Sequence, residues 1–281
     1  MISCIKEGML RRLNIKKIKK EEKIIRRQKN KLAKIEEKLL EKEDNKFLKN
    51  KLNPLKSKVE DKIPDKVTNG LNKAFEKGFY YIFEKGTSLI EKSYNSDKLK
   101  NDADTNKYIL SKEISRKNLK AIDKNVNMGN LLSKGITTVE GTALGFLGIG
   151  LPDIPIFIGV ILRMIYEISL KYGFDYDDDK EKVFILNIIC AGISDKEDRK
   201  KFFFDCDKIS KAIDNNDEIY VDLDLMIKET SKKMVDSLLV SKFVQGIPFI
   251  GALGGAANYV VLTNISKMAK LKYKKRFINK L

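Results

Sequence analysis

Two runs of this chain are almost free of charge, in a sequence of which 34% is charged. "GFLGIGLPDIPIFIGVIL" (145–162) holds the single charge Asp153, and "GIPFIGALGGAANYVVL" (246–262) holds none. Neither run alternates apolar with polar residues, and no stretch of the chain shows strand-type alternation of any length. With helices read along the chain and no strand alternation, the predicted class is all-α, a multi-helix bundle-like domain with two glycine-rich apolar helical segments. Each apolar stretch is near the ~20 residues that cross a ~30 Å hydrocarbon core. Gly141-x-x-x-Gly145 and Gly251-x-x-x-Gly255, with Ala252 and Ala256, are small-residue spacings that let helices touch closely. Pro152, Asp153 and Pro155 interrupt the first run, which a membrane tolerates only where protein or water satisfies the freed backbone. Three fates stay open for 141–162 and 243–262: spanning a bilayer, entering it in part, or forming a buried core.

The charge bears on that choice. Lysine and arginine number 56 against 39 carboxylates, net +17. Residues 1–60 carry 20 basic and 9 acidic side chains, and residues 267–281 carry 7 basic and none acidic, so a near-neutral body has two basic ends. Such ends suit an anionic partner, lipid headgroups or nucleic acid. Were both runs to span, the ends would share one side. The segment between, 163–242, has 14 basic and 18 acidic residues, which places the ends in the cytoplasm.

Along the chain, residues 1–60 are predicted to form a charged extension, helical or partly disordered, ahead of a body at 61–281. Ile18, Ile25, Leu32 and Leu39 repeat every seven residues, but the companion positions Glu21, Gln28 and Ile35 are mostly polar, so this helix needs a surface to lie on. Val67, Leu71, Phe75, Phe79, Phe83 and Ile90 mark a clearer helix over about 64–92. Gly78 and Gly86 sit close to that stripe, which points to the close approach of another helix. A more polar helix is predicted over 105–128, then one from Pro155 to about Tyr172, one over 179–193 and another over 222–245. Ser194-Asp-Lys-Glu197 reads as a capping box opening a further helix.

Little in the sequence supports a reaction. There is no histidine, which removes the commonest general base and zinc ligand. Cys4, Cys190 and Cys206 make no metal or redox motif, and a reduced compartment is expected. Gly145-x-x-Gly148-x-Gly150 lacks the preceding strand of a dinucleotide fingerprint, and no Gly-Lys pair suggests a phosphate loop. Asp175-x-Asp177-x-Asp179-x-Glu181 imitates a calcium loop, but Lys180 and Leu186 stand at two determining positions, and a helix start explains the acids. Four polar residues in apolar company remain: Asp153, Arg163, Glu167 and Asn258. Buried polar groups must be paired, so these are read as structural: Asp153 as a helix cap before Pro155, and Arg163, Glu167 and Lys171 as one narrow charged stripe on a helix at the centre of the domain. No enzyme, cofactor or metal is expected.

"GLPDIPIFIGVILRMIYEISLKYGFD" with Glu181 resembles the central motif of the EcsC protein family, through Asp153, Pro155, Arg163, Tyr172, Gly173 and Glu181. "IPFIGALGGAANYVVLTNISKMAKLKYKKRF" (247–277) resembles the family's C-terminal motif, through Gly251, Asn258, Arg276 and Phe277. The resemblance covers roughly 64–278. It implies a mostly helical bacterial protein linked by gene context to ABC-type transport, without an established activity. With the charge pattern, it leads to the expectation of a membrane-associated protein at the inner face of the cell membrane. Anionic lipid is the expected partner, with a transporter or other protein beside it. The alternatives are a helical scaffold for a protein partner and, less favoured, a nucleic-acid binder.

Overall fold

The computed structural model describes residues 2–41, 65–128, 154–244 and 255–281, and among these the side chains of all but 2–10, 89 and 239–259. Much of both glycine-rich runs, including Asp153, the residues before it and Gly251, lies outside the described residues. The chain is all-α: α1 (Ile2–Glu41), α2 (Asp65–Tyr81), a π-helical turn (Ile82–Gly86), α3 (Thr87–Lys92), α4 (Ser96–Lys112), α5 (Arg116–Met128), α6 (Ile154–Lys171), α7 (Asp179–Ile193), α8 (Lys196–Asn215), α9 (Leu223–Val244) and α10 (Gly255–Asn279). No strand occurs among the described residues.

Two helices share the centre. The helix expected to be central, α6, packs against α2, α4 and α10. Its Ile158, Ile161, Leu162, Ile165 and Ile168 have no solvent exposure. A second, α7, packs against α8, α9 and α10, with Phe184, Ile185, Leu186, Ile188 and Ile189 equally enclosed. The last helix, α10, touches both and joins the two halves of the core.

Local chemistry sets the boundaries. Asp178 accepts the amide of Lys180 and opens α7. The next helix is capped one residue later than the capping-box reading placed it. Asp195, not Ser194, accepts the amide of Asp198, while Ser194 closes α7. At the end of α6, Gly173 takes φ +78°, its amide bonds Leu170 O and that of Phe174 bonds Ser169 O, a Schellman motif that turns the chain toward α7. The single helix predicted over 105–128 is instead two, α4 and α5. Between them the Ile114 amide is taken by Glu21 of α1, and Ser115 Oγ accepts the Asn118 amide to start α5.

The inferred close approach at Gly78 is present: a Cβ there would lie 2.6 Å from Ile158 Cδ1 of α6. Gly86 differs, since its nearest atoms belong to Ile82 within the same π turn. Gly192 of α7 lies against the backbone of α10, where a Cβ would come 2.9 Å from Ile265 Cα. Along α1, Ile25, Leu32 and Leu39 of the heptad pack on the core and Ile18 stays exposed. This helix lies on α10 and α8.

Candidate functional site

The C-terminal helix carries cations at 267, 270, 272, 274, 275 and 276, and Lys280 follows directly after its end. At 100° per residue these fall around the whole circumference, so packing the helix on any face buries some of them. Arg276 is 3% exposed and grips Glu181 of α7 with both guanidinium arms, at 2.7 and 2.8 Å. It also donates to Asp214 of α8 at 2.8 and 3.2 Å, and its guanidinium lies 4.2 Å from the ring centre of Phe174. Burial opposes the charge, but the hydrogen bonds that Arg276 donates to Glu181 and Asp214 outweigh it and hold its pKa above the ordinary value. Burial pushes the Glu181 carboxyl upward against the pull of Arg276. The two-armed geometry is that of a charged pair, in which each carboxylate oxygen accepts one guanidinium N–H.

A second cluster ties the N-terminal helix to this one. Lys272 is 1% exposed, donates to Asp207 at 2.7 Å and to Phe203 O at 3.0 Å, and its Nζ sits 3.1 Å from the Phe203 ring centre. Burial lowers its pKa. Lys275 donates to both oxygens of Glu36 of α1 and to Asp207. Arg199 donates to Leu39 O, and Ile24 and Leu32 are buried beneath. Lys274 pairs with Asp123 and Lys280 with Asp214. The C-terminal basic end is therefore an interior helix with most of its cations matched by carboxylates, not a tail free for an anionic partner. That departs from the reading of two basic ends as alike.

Of the residues singled out in the sequence, Asp153 lies outside the described residues, as does the side chain of Asn258. Arg163 and Glu167 do meet, at 3.2 Å, and Lys171 Nζ stands 3.9 Å from the other oxygen of Glu167. Glu167 and Lys171 are buried, and only Arg163 is partly exposed. Nearby, Tyr176 stacks on Tyr166 at 3.9 Å between centroids, donates to Glu91 at 2.6 Å and shares a hydrogen bond with Tyr94. Burial pushes the Tyr94 phenol up to about 12. Sequence reasoning missed Glu36, Asp207 and Asp214, which lie on amphipathic helices where a carboxylate ordinarily faces water. Glu181 did not turn toward the other acids of 175–181, and no metal-binding group of three is found among the described residues. Cys190 and Cys206 are fully buried, and burial raises both thiols, that of Cys206 to about 12.

The N-terminal end is built differently. Every residue from 11 to 20, "RRLNIKKIKK", is exposed. This decamer holds six cations and no carboxylate, with Leu13, Ile15 and Ile18 at 53, 47 and 53% exposure. Lys17 donates to Lys112 O and Lys20 lies 3.8 Å from Glu113, leaving most of its charge facing solvent.

The fold defines a multi-helix protein whose last helix is locked by buried ion pairs, and the residues meeting in that lock belong to the two motifs read in the sequence: Glu181 with Arg276, and Tyr172 with Phe277, whose rings are 5.5 Å apart. The chain matches the EcsC protein family over residues 26–278 and belongs to it. It is 24% identical to Protein EcsC of Bacillus subtilis (strain 168) over 221 residues, 77% of this chain and 81% of that one. It is 27% identical to the uncharacterized protein YdbA of the same organism over 149 residues, half of this chain and 52% of the other. No solved structure matches it.

Proposed function

We propose that this protein is a non-catalytic, peripheral membrane protein that binds anionic lipid at the inner face of the cell membrane through the N-terminal part of α1. The observation that carries this is the decamer 11–20: ten exposed residues, six positive, none negative, with three large aliphatics in water. A basic helix with exposed aliphatics gains twice at an anionic interface, from headgroup attraction and from apolar burial at the acyl boundary. Among the described residues no helix is long and apolar enough to cross a membrane. The described parts of the apolar runs face inward for the most part: Ile158, Ile161 and Leu162, then Val261 and Leu262, are core residues. The reading therefore rests on α1 rather than on the runs. A transporter or another membrane protein is the partner the family context favours. The buried ions Arg276, Glu181 and Lys272 are engaged in pairs that hold helices together, which supports a role without chemistry of its own.

Flotation of the full chain on vesicles tests this. Binding to phosphatidylglycerol-rich vesicles at low salt, release as salt rises, and no binding to phosphatidylcholine vesicles are the expected results, because screening at 0.1 M salt acts within ~10 Å. A chain that ignores anionic vesicles under all salt conditions overturns the reading.

A further inference from the structure

The α4–α5 corner adjoins the exposed decamer, and hydrogen bonds fix the two together. Lys17 Nζ donates to Lys112 O at 2.6 Å, and Glu21 accepts the Ile114 amide at 3.0 Å. From 112 to 120 the corner presents Lys112, Arg116, Lys117 and Lys120, all exposed, against the one carboxylate Glu113. One turn earlier Tyr108 and Ile109 stand 64 and 41% exposed, with Lys112 Nζ 5.1 Å from the Tyr108 ring centre. The corner thus repeats the chemistry of the decamer on a different part of the chain: cations in excess, with large apolar groups left in water.

We infer that the decamer and the α4–α5 corner form one composite surface for anionic lipid, in which Lys112, Arg116 and Lys117 meet headgroup phosphates while Tyr108 and Ile109 enter the interface beside Leu13 and Ile18. This rests on the membrane reading above and adds the second contact and the orientation. The decamer alone is one short contact about which the whole molecule can turn on a bilayer. A second contact rigidly joined to the first removes that freedom. It also makes the second binding event intramolecular, at high effective concentration. Lipid is favoured over a nucleic-acid backbone by the apolar residues. Aliphatic groups and an amphipathic phenol gain free energy at the headgroup–acyl boundary, and a phosphodiester backbone offers Ile109 and Leu13 nothing in return.

The chain contains no tryptophan, so Tyr108→Trp places a unique fluorophore at the corner in an otherwise intact full-length protein. Phosphatidylglycerol-rich vesicles are expected to shift its emission to the blue and expose it to quenching by a lipid-borne quencher, with no change on phosphatidylcholine vesicles. The paired variant Lys112→Glu, Lys117→Glu, whose side chains are exposed and whose helicity is checked by circular dichroism, is expected to weaken vesicle binding roughly tenfold or more, at about 1 kcal/mol for each cation near the surface. If vesicles bind but the indole emission stays unchanged and the paired variant binds as tightly as the parent, the corner is not part of the surface while the decamer reading stands. If neither parent nor variant binds vesicles, the membrane reading itself falls. An emission shift with duplex DNA but not with vesicles replaces lipid by nucleic acid and overturns the inference.

Discussion

Residues 11–20 and 267–281 carry six and seven cations, and neither stretch contains a carboxylate. In the first, the whole stretch lies in solvent. In the second, Lys272, Lys274, Lys275, Arg276 and Lys280 each reach a carboxylate on another helix, from α1, α5, α7 or α8. The difference does not come from the cations. It comes from what separates them: "MAKLKYKKRFI" interleaves its charge with Met268, Leu271, Tyr273 and Ile278, all core residues, whereas the aliphatics of 11–20 find no groove to fill. Where apolar residues commit a helix to the interior, its charges must go in with it and be answered there. Net charge by segment is thus a poor guide to which charges are available to a partner.

The largest expected effect breaks the interior side of this contrast. Arg276→Met leaves Glu181 buried without its cation and Asp214 with Lys280 alone, and breaking a buried pair in this way costs about 3–5 kcal/mol. A melting temperature unchanged by this substitution means that the lock adds nothing to stability. Next comes Gly192→Ala. The new methyl would press on the Ile265 backbone, which cannot swing aside as a side chain can, and overpacking of this kind costs about 1–3 kcal/mol. Chemical denaturation reads it, and a neutral result means α7 and α10 can separate without loss.

Alkaline pH supplies a third test. An unfolded phenol ionises near 10, whereas burial makes Tyr94 hold its proton to about 12, against the hydrogen bond with Tyr176, which pulls the other way. Above pH 10 the unfolded state loses its proton first, so this contribution to stability is whole below pH 10 and gone by about 12. The fall is at most ~1.4 kcal/mol per pH unit for one such group. Denaturation midpoints measured across that window check the sign, and stability that rises there contradicts it. The smallest effect sharpens the exterior side. Arg12→Glu with Lys16→Glu should change stability by less than about 0.5 kcal/mol, the usual range for exposed positions, while vesicle binding falls sharply. A large loss of stability instead assigns the decamer an intramolecular role.

Much of the fold could be read in the sequence, and for a physical reason. Helices such as Asp179–Ile193 begin with acids and run apolar, and Tyr172-Gly173 marks a stop that only a left-handed residue makes cheaply. What the sequence concealed depended on contacts distant along the chain. The split of 105–128 into two helices required Glu21, ninety-three residues earlier, to take the Ile114 amide. The Arg163–Glu167 pair was legible because its members are one turn apart. The stronger Arg276–Glu181–Asp214 lock was not, since its members come from three helices and each looks like an ordinary charge. Glu181 was visible as a helix-start acid and a motif position and Arg276 as a motif position, without a hint that they touch.

Because the last helix fills the middle of the molecule, the order of synthesis matters. Glu181 is made 95 residues before the arginine that neutralises it. At ~5–20 residues per second, that is roughly 5–20 s of translation during which α6 and α7 can pack on the helices already made but lack α10. The nascent chain must remain open at its centre for that interval, and it can close only when the final helix arrives. A premature stop within 255–279 would therefore release a chain whose two core halves are not joined, exposing apolar faces of α6 and α7 to chaperones and proteases.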